Sequence, residues 1–315
     1  MPDATGAVHV LVPASSANIG PGYDSFGLAL GRYDEVTASL MPAGDTSLEI
    51  SADGEAAVPL DAENLIVQAA AQAFAAMGEP MPGLRLHCIN RIPHGGGQGS
   101  SAAAVVAGIL LARAVTERGT ERLPDDAVFA LATAMEGHPD NVAPVLFGGF
   151  TVAWMAPGAD GTSVPKAVGL APHPRLRAIV LSADASCATT TARAALPASV
   201  PHADAAANSA RAAVLVHAMT ADPSLLFDAT EDYLHQRYRE AVMPQTAAVL
   251  RRLRAAGYAA VLSGAGPSVL VLGADLPDAA SFESEGFHAE LMDVPRHGAS
   301  VDGVEFGAHP APERR

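Results

Sequence analysis

Residues 91–110 read RIPHGGGQGSSAAAVVAGIL, a glycine-rich turn that leads directly into an apolar helix. Glycines allow positive φ angles and let the backbone approach a ligand closely. The first N–H groups of a helix have no partner inside the helix and favour an anion. The stretch therefore predicts a phosphate-binding loop, with a flexible loop that caps a buried helix as the alternative. The lysine that ends the common phosphate loop is missing.

The composition is that of a folded, acidic protein. The 315 residues are 49% hydrophobic and 17% charged, which predicts a sizeable core and excludes wholesale disorder. This length exceeds one average domain, so two domains are expected. The formal net charge of −15 argues against a nucleic-acid partner. Lys166 is the only lysine, and the remaining permanent cations are arginines, which suit two-pronged contacts with carboxylate or phosphate.

Cysteine usage and the apolar runs predict a cytoplasmic protein without a membrane partner. Cys88 and Cys187 are far apart and form no metal-ligand spacing, so both are expected to be reduced. The stretch MPDATGAVHVLVPASS has no basic segment followed by a long apolar one, so no signal peptide is expected. Apolar runs such as 102–114 are too short to cross a bilayer.

Hydrophobic periodicity predicts strands and helices without regular βαβ alternation, so the expected fold class is α+β. The predicted strands cover 8–12, 34–40, 84–89, 149–155, 176–182, 258–263 and 268–273. The predicted helices cover 64–77, 101–116, 125–135, 203–220 and 241–256. Residues 156–174 are rich in proline, glycine and aspartate and predict a domain boundary. The predicted domains are therefore 1–165 and 166–315.

Three further segments hold polar groups among glycines. Residues 14–28 carry Asn18 and Asp24, which could bind an acceptor or satisfy the backbone of a turn. Glu136, His138, Asp140 and Asn141 crowd together after a helix and suggest a magnesium site, a metal site of another kind or a capped helix end. Residues 262–269, LSGAGPSV, indicate a ligand loop or a bulge. Arg193 and Arg239 lie in largely apolar stretches and suggest carboxylate capture.

Four motifs follow one another in the order PASSANIGPGYDSFG, PHGGGQGSSAA, EGHPDNVAP and SGAGPSV. In this order they resemble the GHMP kinase family, and in detail its homoserine kinase branch, over residues 12–273. The resemblance implies a ribosomal-protein-S5-like N-terminal domain and a ferredoxin-like α/β-sandwich C-terminal domain. It also implies ATP and Mg²⁺ as cofactors, L-homoserine as the acceptor in threonine biosynthesis, and a homodimer.

The resemblance also implies roles for individual residues. The expected ATP-binding residues are Asn64, Pro93, His94, Gly95, Gly96, Gly97, Gln98, Gly99, Ser100 and Ser101. The expected substrate-binding residues are Asn18, Asp24, His138, Asn141, Thr189, Arg193, Arg239 and Gly264. Ser100 and Glu136 are the expected Mg²⁺ ligands, and Ser100, Asp140 and Asn141 the expected catalytic residues.

No carboxylate is obviously placed to take the proton of the acceptor hydroxyl. We therefore expect direct attack on the γ-phosphate, with Asp140 orienting its neighbours. The loop also departs from the family, whose members commonly have Gly-Leu-Gly-Ser-Ser where this chain has Gln98 as the second residue. The glutamine side chain either is exposed or makes a new hydrogen bond.

Three other functions fit parts of the pattern. A GHMP kinase for mevalonate or a sugar would share the motifs. An inactive nucleotide-binding regulator would show erosion of the glycine loop or of the acidic motif, the group Glu136, His138, Asp140 and Asn141, and both are intact. A dinucleotide-binding oxidoreductase would need a βαβ unit with an acidic residue about twenty positions further on, and none is predicted.

Overall fold

The computed structural model describes residues 6–54, 58–158 and 161–307. The strands are β1 (Val8–Ala17), β2 (Phe26–Leu40), β3 (Leu48–Gly54), β4 (Leu84–Asn90), β5 (Phe150–Pro157), β6 (Ser163–Leu170), β7 (Arg177–Ala183), β8 (Ala259–Leu262), β9 (Val269–Gly273), β10 (Phe287–Met292), β11 (Ser300–Val301) and β12 (Val304–Glu305). The α-helices are α1 (Leu65–Ala76), α2 (Ser100–Val115), α3 (Gly119–Arg122), α4 (Asp125–Glu136), α5 (Pro139–Phe147), α6 (Thr189–Ala194), α7 (His202–Thr220), α8 (Leu226–Ala229), α9 (Gln236–Arg239) and α10 (Pro244–Ala255). Short 3₁₀ turns lie at Pro223–Leu225 and Ala279–Phe282.

The first sheet has eight strands and carries the first half of the chain. Its order is β12-β11-β1-β2-β4-β3, and β5 and β6 extend it from the beginning of β2. The β3–β4 pair is parallel, whereas the other pairs are antiparallel. The long strand β2 pairs with β5 near Phe26 and with β4 from Glu35 onwards, so it supports both ends of the sheet.

Helix α2 is the central helix of this half because it is buried along most of its length. Its alanine-rich sequence keeps its surface narrow, so neighbouring elements pack close to it. A Cβ atom at Gly108 would lie 2.2 Å from the carbonyl oxygen of Ile66, which shows how closely α1 crosses α2. The Asn64 side chain caps α1 by accepting a hydrogen bond from the Ile66 N–H (3.0 Å), as the sequence predicts.

The second sheet has four antiparallel strands in the order β10-β7-β9-β8. Its first strand in sequence, β7, lies between its last strand and β9, which is the order expected for a ferredoxin-like sheet. Most of the strand residues are apolar and buried, as in β8 and β9. The chain therefore has the predicted α+β class, with two separate sheets.

Several elements were missed by the sequence patterns. Strand β6 lies within the proline- and glycine-rich stretch 156–174 that predicts a linker, and it holds Pro165 and Gly169. Within the described residues β6 pairs with β5 alone, and an edge strand tolerates proline because one side of its backbone needs no partner. A boundary between residues 165 and 166 would cut this strand, so the chain changes sheet only after Leu170.

Strands β11 and β12 return from the second half of the chain to the edge of the first sheet, beside β1. The second predicted domain, 166–315, is therefore continuous in sequence but contributes two short strands to the other sheet. Helix α5 was not among the predicted helices, and it contains both Pro139 and Pro144. Pro139 occupies the first helical turn, where its missing N–H costs no hydrogen bond.

Among the helices of the described ranges, none is both long enough and apolar enough to cross a membrane. The expected absence of a signal peptide concerns the start of the sequence, and residues 1–5 lie outside the described ranges.

Candidate active site

The glycine loop (residues 93–99) lies in a cleft where both halves of the chain meet. The first half contributes the loop, the turn after β1 and the junction between α4 and α5. The second half contributes the start of α6, the end of α9 and the turn between β8 and β9. The cleft encloses about 110 Å³. Its lining residues are Asn18, Asp24, Pro93, Gly95, Gly96, Gly97, Gln98, Gly99, Ser100, Ser101, Glu136, His138, Asp140, Asn141, Cys187, Thr189, Arg193, Arg239, Gly264, Ala265 and Gly266.

Two positions of the loop require glycine for both conformation and space. Gly97 and Gly99 each have a φ of +73°, in the left-handed region that other residues rarely adopt. A Cβ at Gly97 would lie 2.4 Å from the Ser263 carbonyl oxygen, and one at Gly99 would lie 2.0 Å from the Ser15 hydroxyl. Gly99 directly precedes α2, so the free N–H groups at the start of this helix face the cleft.

Gln98 does not expose its side chain. It is fully buried, it accepts a hydrogen bond from Arg32 Nη1 (2.7 Å), and it donates one to the Ser182 hydroxyl (2.8 Å). Its backbone carbonyl also accepts a hydrogen bond from the Ser15 N–H (3.0 Å). Of the two outcomes expected for this glutamine, the structure has the one with new hydrogen bonds.

The acidic motif surrounds the junction where α4 ends and α5 begins. The Ser101 hydroxyl donates to Glu136 Oε2 (2.8 Å), which joins this carboxylate to the first turn of α2. Burial raises the pKa of Glu136, although the hydrogen bond from Ser101 and the charge of His138 oppose the shift. Burial therefore disfavours the ionised carboxylate of Glu136, and a cation beside it would stabilise that form.

His138 and Asp140 form a hydrogen-bonded pair, with Nδ1 of the imidazole donating to Oδ1 of the carboxylate. Burial alone would lower the pKa of His138, but the hydrogen bond and charge of Asp140, together with the charge of Glu136, outweigh it and raise this pKa. The neighbouring Asn141 accepts a hydrogen bond from the Ser15 hydroxyl through Oδ1 (3.0 Å). These contacts fix the positions of the side chains of the motif.

The opposite wall of the cleft carries a carboxylate–guanidinium pair. Arg193 donates from Nη2 to Asp24 Oδ1 (2.7 Å) and from Nη1 to Asp24 Oδ2 (3.1 Å) and to the Tyr23 hydroxyl (2.7 Å). Asn18 donates to the Gly264 carbonyl (2.8 Å) and accepts from the Asp24 N–H (2.9 Å). Asn18 and Asp24 both have positive φ angles, +68° and +54°. The turn after β1 thus holds Asp24 in a fixed position.

Arg239 is almost entirely buried, and it contacts His235, a residue that was not among the predicted site residues. Its Nη1 donates to His235 Nδ1 (2.9 Å) and to the Gly264 carbonyl (3.3 Å). The other ring nitrogen of His235 lies 2.8 Å from the Gly20 carbonyl oxygen, so it must carry the proton. The spacing of four residues between the two side chains on one helical stretch is the sequence signal that could have found this pair.

A second cavity of about 280 Å³ adjoins the cleft and shares Ser100 and Ser101 with it. Its other lining residues are Val12, Asp34, Val36, Val58, Pro59, Glu63, Asn64, Leu65, Ile66, Asn90, His94, Ala104 and Ala107. Asn90 is 7% exposed, and its Nδ2 atom has no hydrogen-bond partner among the described residues. An unpaired buried amide next to a mostly apolar cavity is suited to the polar edge of a flat ring.

All predicted site residues line one of these two cavities. Asn64 and His94 line the second cavity alone, Ser100 and Ser101 line both, and the others line the cleft. Asn64 uses its side chain for the cap of α1 and for a hydrogen bond to the Pro59 carbonyl (2.8 Å). In the described part of the chain no three potential metal ligands cluster together, so nothing there supports a zinc-type site.

Similarity to known proteins agrees with this arrangement. Residues 64–149 match the GHMP kinases N terminal domain, and residues 215–287 match the GHMP kinases C terminal domain. The chain belongs to the GHMP kinase family.

Its relatives include homoserine kinases. The one from Streptomyces avermitilis is 47% identical over 297 residues, covering 94% of this chain and 95% of that protein. The one from Clavibacter michiganensis is 47% identical over 316 residues, covering 98% of each. The crystal structure of homoserine kinase from Cytophaga hutchinsonii superposes with a TM-score of 0.77 at 25% identity, covering 96% of this chain and 99% of that one. The predicted fold class and family are therefore confirmed.

Proposed function

We propose that this chain is a kinase that transfers the γ-phosphoryl group of ATP to the side-chain hydroxyl of L-homoserine. The product is O-phospho-L-homoserine. The observation that carries the proposal is the Asp24–Arg193 pair, which shares one cleft with the glycine loop. A loop of free N–H groups suits phosphate, and a carboxylate beside a guanidinium suits an acceptor with an ammonium and a carboxylate. Relatives at 47% identity are homoserine kinases, which supports the same acceptor here.

The wall of the cleft that carries Asp24, Arg193 and Arg239, the acceptor wall, has charges that match those of an amino acid. Asp24 and Arg193 form an ion pair with each other, and a zwitterion offers each of them a replacement partner. Its ammonium would pair with Asp24 and its carboxylate with Arg193, while Arg239 supplies a second positive charge nearby. Mevalonate has a carboxylate but no ammonium, so it would separate the pair and leave Asp24 without a cation.

The nucleotide would lie across both cavities. Its phosphates would lie at the glycine loop and the start of α2, where backbone N–H groups and the helix dipole favour negative charge. Its base would occupy the second cavity, which begins at Ser100 and Ser101 and extends towards Asn64 and His94. The unpaired Nδ2 donor of Asn90 is available there for an acceptor atom of the base.

The oxygen donors near the loop fit Mg²⁺, which binds through one or two carboxylates together with substrate phosphates. Glu136 would supply the carboxylate and Ser100 a hydroxyl. Burial disfavours the negative charge of Glu136, and a bound cation would compensate for that charge. When bound, magnesium neutralises charge on the phosphoryl group. A Glu136→Gln variant should need a higher Mg²⁺ concentration for half-maximal rate, whereas an unchanged magnesium titration would remove Glu136 from this role.

In the reaction, a bond forms between the acceptor oxygen and the γ-phosphorus while the bond to the β–γ bridging oxygen breaks. ADP leaves, and the hydroxyl proton passes to the transferred phosphate or to solvent. Asp140 is occupied by the hydrogen bond from His138, so we assign it to orientation and not to proton removal. The raised pKa of His138 favours its charged form, which adds positive charge beside the transferred group.

The test is an assay coupled to ADP release with L-homoserine, mevalonate and galactose as acceptors. We expect turnover with L-homoserine and little with the other two. Turnover with mevalonate but not with L-homoserine would contradict the proposal, and nucleotide binding without any turnover would favour an inactive regulator.

We also propose that the chain acts in the cytoplasm as a homodimer, with small molecules as its ligands and neither nucleic acid nor membrane as a partner. Light scattering after size-exclusion chromatography, at several protein concentrations, measures the assembly. A mass of one chain at every concentration would exclude the dimer.

A further inference from the structure

The side chain of Gln98 connects the glycine loop to both sheets of the molecule. Arg32 on β2 donates to Gln98 Oε1 (2.7 Å), and Gln98 Nε2 donates to Ser182 on β7 (2.8 Å). Arg32 also forms an ion pair through Nη2 with Glu290 on β10, the strand next to β7. A single loop side chain thus contacts the two halves that form the cleft.

The position of Ser182 gives this connection a consequence for the acceptor wall. Strand β7 ends at Ala183, and residues 184–188, the connecting segment, lead directly into α6. Helix α6 carries Thr189 and Arg193, which line the cleft. The connecting segment also contacts the glycine loop directly, because the Cys187 N–H donates a hydrogen bond to the Gly95 carbonyl oxygen (3.3 Å).

The burial of Gln98 makes these hydrogen bonds specific. A buried amide that loses a partner still carries the cost of its desolvation. The Nε2 end therefore favours a loop that stays on β7, and the Oε1 end favours a loop that stays on β2. A leucine at this position would fill a similar volume but would leave the Ser182 hydroxyl and one Arg32 N–H group without this partner. The loop would then be connected to the second half by fewer directional contacts.

We propose that Gln98 is a positioning residue that couples the nucleotide site to the acceptor wall. Nucleotide at the glycine loop orders the loop, and the Gln98–Ser182 hydrogen bond passes that order to β7, the connecting segment and α6. The inference deepens the proposed function, because α6 carries the arginine assigned to the acceptor carboxylate. Gln98 itself acts through the backbone of the loop and through Ser182.

The test is hydrogen exchange of the backbone amides of residues 184–193, with and without saturating AMP-PNP and Mg²⁺, in full-length protein. In the wild-type protein we expect nucleotide to slow this exchange about threefold or more, because ordered segments open less often. In Gln98→Leu and in Ser182→Ala, the ratio of the exchange rate without nucleotide to the rate at saturating nucleotide should fall towards one. The double variant should resemble each single variant, since both remove the same connection.

Gln245→Leu is the matched control, since it makes the same change at an exposed glutamine of α10. It should leave the nucleotide effect at residues 184–193 as in the wild-type protein. Ser182→Ala leaves the loop sequence intact, so it tests the inference even where Gln98→Leu folds poorly. Two outcomes would overturn the inference. One is that nucleotide does not slow exchange at residues 184–193 in the wild-type protein, and the other is that it slows this exchange equally in Ser182→Ala. The hydrogen-exchange experiment uses no acceptor, so an enzyme that fails to phosphorylate homoserine would contradict only the proposed function.

Discussion

Arg193 and Asp24 form a two-pronged ion pair across the acceptor wall, with Nη2–Oδ1 and Nη1–Oδ2 distances of 2.7 Å and 3.1 Å. The two residues were predicted to bind opposite ends of one zwitterion, and in the structure they bind each other. Each charge therefore has a partner of opposite sign. Under the proposed function, acceptor binding would exchange one ion pair for two, so no charge would need to be desolvated alone.

The first prediction concerns the two-pronged geometry of this pair. Arg193→Lys keeps the charge but removes the planar fork, so the acceptor carboxylate loses a directed hydrogen bond. Hydrogen bonds to charged groups contribute about 1.5–3 kcal/mol, which corresponds to a rise of about 10- to 150-fold in KM for L-homoserine. The KM for ATP should stay unchanged in steady-state kinetics.

A matched control is Arg175→Lys, which makes the same change in an exposed ion pair with Asp275. Exposed pairs contribute little, so the kinetics of this variant should equal those of the wild-type enzyme. A parallel rise of both KM values in Arg193→Lys would contradict the assignment to the acceptor.

The second prediction separates orientation from proton removal at Asp140. Loss of a general base lowers rates by about 10²- to 10⁴-fold. Asp140→Asn keeps the size of the side chain but weakens its hold on His138, so we expect a fall in kcat of about tenfold from weaker positioning and charge stabilisation. Single-turnover rates and the thermal unfolding temperature should be measured together. A fall of a thousandfold in a normally folded variant would restore the base role.

The third prediction uses two glycines with nearly the same backbone angle. Gly99 has a φ of +73° and no space for a Cβ, whereas Gly78 has a φ of +74° and nothing within 4 Å of that position. Alanine at Gly78 should destabilise the fold by about 1–2 kcal/mol through its backbone angle alone. Alanine at Gly99 should cost more and should also raise the KM for ATP. Denaturant unfolding and ATP kinetics of the two variants would show the difference, and equal effects would contradict the steric argument.

The glycine loop and its helix could be predicted from sequence because each depends on neighbouring residues. Glycines at the turn and an apolar run directly after them define the local conformation, and the helix begins within one residue of the predicted position. The missed elements depend on the strands with which they pair, which their own residue pattern does not show. Strand β6 looks like a linker because Pro165 and Gly169 interrupt it, and it forms only because β5 offers a complete pairing edge.

The candidate site shows the same division. Family resemblance predicted residues that line the two cavities, but not the hydrogen bonds that hold their side chains. Gln98 and Ser182 are separated by 84 positions, so no local pattern could indicate their hydrogen bond. Asn90 also escaped notice, because an asparagine at the end of a strand usually marks a turn. Its missing partner becomes visible only when the cavity beside it is known.

The fourth prediction concerns this unpaired amide. An unsatisfied buried polar group costs about 1–3 kcal/mol, so Asn90→Leu should raise the unfolding free energy of the protein without nucleotide. The same change removes a donor for the base and should raise the KM for ATP, while the KM for L-homoserine stays constant. Unfolding curves with and without AMP-PNP measure both effects. Unchanged ATP kinetics would show that the base does not reach Asn90.

The fifth prediction concerns the neutral histidine behind Arg239. Burial is the largest cause that lowers the pKa of His235, and the charge of Arg239 adds to it, although Asp232, with Oδ1 at 3.7 Å, opposes the shift. A group with a lowered pKa in the folded protein contributes stability above its unfolded pKa of about 6.5, and that stability is lost as the pH falls towards the folded pKa.

In His235→Asn, Oδ1 can still accept from Arg239 near the position of the ring Nδ1, and the amide does not titrate. The shorter side chain loses the hydrogen bond to the Gly20 carbonyl, which lowers the stability of the variant by the same amount at every pH. The unfolding free energy of the wild-type protein relative to this variant should therefore be constant above pH 7.5 and should fall by up to about 1 kcal/mol from pH 6.5 to pH 5.5. Urea unfolding at a series of pH values measures this difference. A difference that grows in favour of the wild-type protein at acid pH would mean that Asp232 outweighs burial and that the folded protein holds His235 in its charged form.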